Sequence, residues 1–291
     1  MNQAYNIESC AMIVEYSASV WTARKLDRGT TDEVVTSKNA AAKDAARVNK
    51  SLLAGRTELE VIQKHVSSVR TYVHSTTMPW SDTGQRLLPT TKFMEFEARM
   101  KAEEERYWEL VHSFIAVYPT LITAQALALG DMFRRDEYPT VESLEKKFDF
   151  TVGYLPVPSA GHFVVDVGNE GQRLLQEKLE ALANARVEAA VKDVKQRLKD
   201  HLERMADRLG ADRVNGEVKL RKFHDSLVEG AHELCDMVKD LNITRDKDLD
   251  KASNFLKKAL FGVTPEELRN NPPVREDVKA SVEAILSKFR V

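Results

Sequence analysis

The chain has 291 residues, of which 43% are hydrophobic and 30% are charged, a composition that can bury a sizeable core and is too charged for a membrane protein. Lys plus Arg (43) nearly balance Asp plus Glu (45), which excludes the global basic field typical of nucleic-acid-binding proteins. Cys10 and Cys235 belong to no CxxC or Cys/His spacing, so we expect buried thiols in a reducing compartment. The N-terminus, MNQAYNIESC, lacks the pattern of a signal peptide, and we expect a cytoplasmic protein.

Apolar spacing and capping signals predict three helices in the N-terminal quarter. The first runs from about Ile7 to Asp27. A capping box that begins at Thr30 starts a second, Ala-rich helix that ends at Gly55, and another at Thr57 opens a third helix. The first helix is expected to place its apolar residues on one side: Met12, Ile13, Tyr16, Val20 and Trp21.

The next part of the chain combines a loop with a long apolar helix. Ser75 to Pro89 contains two prolines and a glycine, which predicts a loop held by its own side chains. A fourth helix starts near Thr91 and is expected to break or kink at Pro119. Leu110 to Gly130 carries no charged residue. We interpret it as a buried elbow of a helical bundle, and the alternative is a segment that can insert into a bilayer.

One region has the period of two that is typical of β-strands. Apolar Phe148, Phe150, Val152 and Tyr154 alternate with small or polar residues, and a second β-rich run follows at His162 to Val167. Together they predict one antiparallel hairpin. An isolated hairpin is marginally stable in water, so we expect it to pack on the helices or to pair with a partner's strand. The predicted partner-binding residues are Phe150, Val152, Tyr154, His162, Phe163 and Val165.

A single long helix is predicted from Asn169 to Leu209. Asn169 and Gln172 form a capping box, and Gly210 closes the far end. At 1.5 Å per residue this helix is roughly 60 Å long. Its apolar stripe consists of Leu175, Leu179, Leu182, Val187, Val191, Val194, Leu198, Leu202, Met205 and Leu209.

Four further elements are predicted after the long helix. A turn at residues 212–216 leads into a returning helix from about Glu217 to Leu241. A shorter helix follows Thr244, and Thr264 with Pro265 gives a strong start signal for the next one. A final helix reaches the C-terminus. Whether the long helix pairs within one chain or between two copies stays open at this point.

These patterns predict a mainly α fold: an elongated helical bundle with a long antiparallel helical hairpin and one small β-hairpin. Residues 1–147 would form the N-terminal bundle, residues 148–168 the β-hairpin, and residues 169–291 the helical hairpin with the C-terminal helices. We expect the three parts to form one continuous structural unit.

Several sequence runs resemble an uncharacterised family of bacterial and phage proteins of unknown function. The resemblance is carried by LGDMFRRDEYPTVESLEKKFDF, by PVP and GHFVVDVG after it, by TMPWSDTGQRLLP and, more weakly, by the helix around Asp225 to Leu241. Genes of that family often lie beside a MoxR-type AAA ATPase and a von Willebrand A protein similar to cobaltochelatase subunits. The resemblance implies a protein partner in an ATPase-driven assembly in the cytoplasm of a bacterial host cell. His162 departs from the family pattern, which has an acidic residue at that position.

Motifs of the common enzyme classes are absent. The chain has no GxxxxGK[ST], no GxGxxG after a strand, no HExxH and no GxSxG. His224 and His232 stand eight residues apart on one predicted helix, a spacing more typical of solvated histidines than of metal ligands. We therefore predict a protein without enzymatic activity, cofactor or metal.

The sequence thus favours a phage or bacterial interaction protein, an adaptor or scaffold. The first alternative is a single-stranded nucleic-acid binder, because cations lie beside aromatic residues in two places. A membrane-active helical protein is the second alternative. The residues of the nucleic-acid hypothesis are Trp21, Arg24, Lys25, Trp80 and Arg86.

Overall fold

The computed structural model describes residues 7–42, 44–158, 168–214 and 217–289. Its α-helices are α1 (Ile7–Cys10), α2 (Arg28–Ser37), α3 (Glu58–Thr76), α4 (Phe93–Leu129), α5 (Val141–Glu145), α6 (Gly168–Leu209), α7 (Ser226–Leu241), α8 (Lys247–Ala259), α9 (Pro265–Asn270) and α10 (Pro272–Lys288). Its strands are β1 (Ala11–Ser19), β2 (Arg24–Leu26), β3 (Asn49–Ser51), β4 (Met78–Pro79), β5 (Arg86–Pro89), β6 (Asp149–Pro156), β7 (Ala211–Val214) and β8 (Glu217–Leu220). The predicted mainly α class is confirmed.

The strands form three sheets instead of one hairpin. The largest has four strands in the order β4-β5-β1-β6, and β2-β3 and β7-β8 are two-stranded sheets. The prediction that one β-hairpin accounts for all the strands is therefore wrong. β6 supplies the predicted first strand of that hairpin, while the second, at residues 162–167, lies outside the described residues.

The predicted first helix is wrong, because its centre is strand β1. Ile13 opposes Leu87 and Val14 opposes Arg86 in an antiparallel pair with β5. Ile13 and Val14 are both buried, so apolar residues face both sides of the sheet and the spacing resembles that of a helix. Only the pairing with a strand more than sixty residues away decides between the two structures.

The second predicted helix is shorter than expected. α2 starts one turn earlier, because the Asp27 carboxylate accepts a hydrogen bond from the Thr30 backbone N–H at 3.0 Å. It ends at Ser37, and Asn39 then adopts a left-handed backbone with φ of 50°. The Ala-rich stretch after it is not helical, and the chain continues into β3.

Two further helix boundaries differ from the predictions. Pro119 does not end α4, which continues through it to Leu129, and the proline lies on the exposed side of the helix. The returning helix starts at Ser226 instead of Glu217, because the β7-β8 hairpin occupies the intervening residues, with Asp212 opposite Lys219.

The chain forms two compact units that are interleaved in the sequence. Unit 1 comprises Met1–Glu15, Tyr72–Phe96 and Gly153–Val291, and unit 2 comprises Tyr16–Thr71 and Glu97–Val152. The linear division predicted from the sequence differs from this arrangement, in which each unit is assembled from separate segments.

The core of unit 2 is aromatic. Trp21 lies 5.7 Å from Tyr118 in an edge-on contact, and Phe114 lies 6.0 Å from Phe148, measured between ring centroids. Beside this core, Lys50 is buried and its Nζ lies 2.8 Å from a Glu137 carboxylate oxygen. The same ammonium group donates a hydrogen bond to the Met132 carbonyl and lies 3.5 Å from an Asp27 carboxylate oxygen, so the buried charge has two acidic neighbours and a carbonyl acceptor.

The core of unit 1 is built around the C-terminal half of α6. Val194, Leu198, Leu202 and Met205 are completely buried against residues of α7, α8 and α10. The predicted apolar stripe holds there but not in the N-terminal half, where Leu182 is 47% exposed. The core cluster takes its α6 residues from Ala190 onward.

Arg275 of α10 closes the end of α6. Its guanidinium donates hydrogen bonds to the carbonyl oxygens of Leu209 (2.9 Å) and Arg208 (2.8 Å), and also to that of Arg221 (2.6 Å). The last carbonyls of a helix lack partners within it and carry partial negative charge. Arg275 satisfies these groups from a position that is only 3% exposed, and its pKa is lowered by burial.

Arg275→Met is expected to lower the free energy of unfolding by about 2–4 kcal/mol, because it removes charge-assisted hydrogen bonds and leaves buried carbonyls without partners. Arg269→Met is the matched control. Both guanidinium groups lie over the Phe223 ring, at 5.1 and 5.3 Å, but Arg269 is largely exposed and pairs with Asp225 at the surface. The control should cost less than about 1 kcal/mol. Urea unfolding followed by circular dichroism measures both, and equal losses would contradict the capping role of Arg275.

Candidate functional site

The most distinctive surface of unit 1 is a groove between α8 and α10. α8 begins where the Asp246 carboxylate accepts hydrogen bonds from the backbone N–H groups of Asp248 (2.8 Å) and Leu249 (3.2 Å). Asn271 caps α10 through the N–H of Val274. Each of the two helices packs one side against the core, and the groove lies between them at the surface.

The floor and one wall of this groove, called the α8–α10 groove below, are apolar. Ala252, Ile285 and Phe289 are less than 8% exposed and, with small neighbours, line a cavity of about 610 Å³. Phe255 stands beside them and is 55% exposed. The full lining consists of Asp248, Lys251, Ala252, Phe255, Lys258, Ala259, Ser281, Ala284, Ile285, Lys288 and Phe289.

The rim of the groove is basic, although the whole chain has a formal net charge of −2. Lys251, Lys258 and Lys288 line it against one acid, Asp248. Lys251 lies 3.9 Å from Asp248, and both side chains are largely exposed, so this pair is weak. Among the described residues no carboxylate forms an ion pair with Lys258 or Lys288, whereas neighbouring Lys257 pairs with Asp236 at 2.6 Å.

The groove combines an exposed aromatic ring, an apolar floor and cations that are free to accept a partner's charge. Such a combination is typical of surfaces that bind proteins, where a few aromatic anchors supply most of the binding energy. The sequence-based predictions did not include this groove. The available signal was Phe255 with Lys251 four residues before it and Lys258 three residues after it, a spacing that places all three on one helix face.

No known protein family matches this chain. Neither a curated protein nor a solved structure is detectably similar to it. The resemblance described from the sequence therefore stays a prediction.

The structure places the predicted hairpin residues in different environments. Phe150 is buried in the core of unit 2, 5.3 Å from the rings of Tyr16 and Tyr107, so it cannot contact a partner. Val152 is half-buried, and Tyr154 packs edge-on against Phe93 at 5.1 Å. His162, Phe163 and Val165 lie outside the described residues.

The residues of the nucleic-acid hypothesis do not present stacking platforms. Trp21 and Trp80 are buried, at 8% and 3% exposure. Arg86 donates hydrogen bonds to Thr77 at 3.0 and 2.9 Å, and burial lowers its pKa. Arg24 and Lys25 are exposed, but they belong to unit 2, whereas Trp80 and Arg86 belong to unit 1.

One helical segment in the described part of the chain, Thr90–Met132, is long and apolar enough to cross a membrane. Its most apolar 18-residue window has a mean hydropathy of 1.4, and 28% of that window is buried. Core helices of soluble proteins have the same length and composition, so this observation alone is weak evidence for insertion. The segment is helical on both sides of Pro119, and Val111, Phe114 and Tyr118 lie in the core of unit 2.

A polar cleft of about 1300 Å³ lies between α6 and the residues that lead into α7. His201 and His224 both line it. His224 Nδ1 lies 3.2 Å from Ser226 Oγ and also accepts the Ser226 backbone N–H, a local contact at the start of α7. Within the described ranges, no three His, Cys, Asp or Glu side chains are placed to hold a metal ion.

His201 is the buried titratable group of this cleft. Burial lowers its pKa below the ordinary value of 6.5, a hydrogen bond between Nε2 and the Leu227 carbonyl opposes this shift, and Arg204 adds to it. Since the folded pKa lies below the unfolded one, the unfolded chain binds more protons as the pH falls below about 6.5. Acid therefore favours unfolding through His201.

His201→Gln should remove this part of the pH dependence. The wild-type free energy of unfolding should fall between about pH 7.5 and about pH 5.5, and the fall should be smaller in the variant, because glutamine does not titrate. His232→Gln, at an exposed position of α7, should behave like wild type. Urea unfolding at both pH values measures the difference. Identical pH dependence in wild type and His201→Gln would show that His201 is not linked to folding.

Proposed function

We propose that this chain is a non-enzymatic interaction protein, an adaptor or scaffold that binds a protein partner through the α8–α10 groove. The observation that carries the proposal is Phe255, an aromatic side chain more than half exposed beside an apolar floor. Transfer of an aromatic ring from water into an apolar contact is favourable, so a partner that covers Phe255 would bind more tightly.

The basic rim supports the same proposal. Lys258 and Lys288 are exposed cations without a described ion-pair partner, on opposite walls of one apolar groove. A polar, charged rim around an apolar centre is the usual anatomy of a protein interface.

The partner that we propose first is an assembly of a MoxR-type AAA ATPase and a von Willebrand A protein in the bacterial cytoplasm. This part of the proposal depends on the sequence resemblance alone. The elongated form of the bundle and its long antiparallel helical hairpin likewise belong to the proposal. Neither nucleic-acid binding nor membrane insertion gains a specific observation comparable to the groove.

Phe255→Glu should reduce recovery of the partner about tenfold or more when the tagged, full-length protein is purified from its native cells, because it places a charge at the aromatic anchor. Phe261→Glu is the matched control, since Phe261 is 89% exposed and does not line the groove. Mass spectrometry after nuclease treatment identifies the partner, and rebinding of the purified partner confirms direct contact. Equal recovery with both variants, or recovery that nuclease abolishes, would contradict the proposal.

A further inference from the structure

We infer that the occupant of the α8–α10 groove is an acidic amphipathic helix of the partner, an inference that rests on the proposed function and names the chemistry of its ligand. The apolar lining suits helix docking. Ala252, Ala259 and Ala284 keep the groove free of bulky side chains, so the apolar side chains of a second helix can insert between Phe255 and Ile285.

The length of the groove matches a short helix. The lining residues of α8 extend from Asp248 to Ala259 and recur at helical spacing, which corresponds to about 16 Å or roughly three turns. Helices that bind in grooves present apolar anchors at positions i, i+3 or i+4, and i+7. Three turns are enough to place three such anchors along the floor.

The distribution of charge selects an acidic helix. Lys251 and Lys258 are seven residues apart on α8, or about 10 Å along its axis, and Lys288 lies on the opposite wall. A helix with carboxylates on both flanks of its apolar stripe can reach all three ammonium groups. An anionic membrane surface and a second copy of this chain are the competing occupants, and the experiments below distinguish both from an acidic helix.

The test uses a fluorescent synthetic helix of about 14 residues with leucines at helical spacing and glutamates on both flanks. A second peptide carries glutamine in place of each glutamate. Fluorescence anisotropy with the full chain should show at least about tenfold tighter binding of the glutamate peptide at low salt, and the difference should shrink at high salt because salt screens exposed charges. Equal binding of the two peptides, or binding of neither, would overturn the inference.

Variants of the chain locate the interaction. Lys258→Glu with Lys288→Glu should weaken binding of the glutamate peptide at least about tenfold, because two of the three charges that meet its carboxylates are reversed. Lys178→Glu with Lys192→Glu makes the same change in net charge at exposed positions of α6 and should leave affinity within about twofold. Phe255→Glu should abolish binding. Equal effects of the two double variants would overturn the inference.

Two further measurements exclude other occupants. Sedimentation with vesicles of phosphatidylserine and phosphatidylcholine should show no binding that depends on Phe255, and light scattering should show no dimer that Phe255→Glu dissolves. Vesicle binding that depends on Phe255, or a dimer that Phe255→Glu dissociates, would overturn the inference. If the purified partner binds through Phe255 but the glutamate peptide does not, only the acidic-helix inference fails. If neither binds, the proposed function fails as well.

Discussion

The contact on which unit 1 most depends is the one between Arg275 and the end of α6. Three chain segments that are distant in sequence meet at this guanidinium: the end of α6, the residue after β8, and α10, which supplies the arginine. The contact fixes where α6 ends against α10, so that Val282 and Ile285 of α10 face the buried stripe of α6. Because Ile285 also lines the α8–α10 groove, the position of that wall depends on the same buried charge.

Local capping chemistry made part of this fold predictable. Thr264 caps α9 with Pro265 in the first turn, as its sequence indicates, and the bounds of α6 agree with the prediction within one residue. A helix cap involves residues only three or four positions apart, so both partners of the interaction can be recognised in a short stretch of sequence. Strand β1 was not predictable in this way, because its partners β5 and β6 come from later parts of the chain and its two buried faces imitate a helical spacing.

The candidate site was less predictable than the fold, and the reason is burial. Trp80 beside Arg86 has the same local appearance as Phe255 beside Lys258, yet Trp80 is enclosed and packs under Arg186 at 5.4 Å, whereas Phe255 is exposed. Which aromatic residue is enclosed depends on which helices cover it. The groove also needs α8 and α10 side by side, and no local pattern records that two helices separated by α9 are neighbours.

The interleaving of the two units has a consequence for synthesis on the ribosome. Every segment of unit 2 has been made once Val152 is added, whereas unit 1 must wait for α6 and the helices after it. At about 5–20 residues per second, synthesis from Val152 to Leu209, the end of α6, takes about 3–11 seconds. During that interval Met78, Trp80 and Leu87 lack the α6 residues that cover them in the finished protein. The nascent chain therefore has a defined period in which an apolar strand pair is available to chaperones, and slower translation lengthens it.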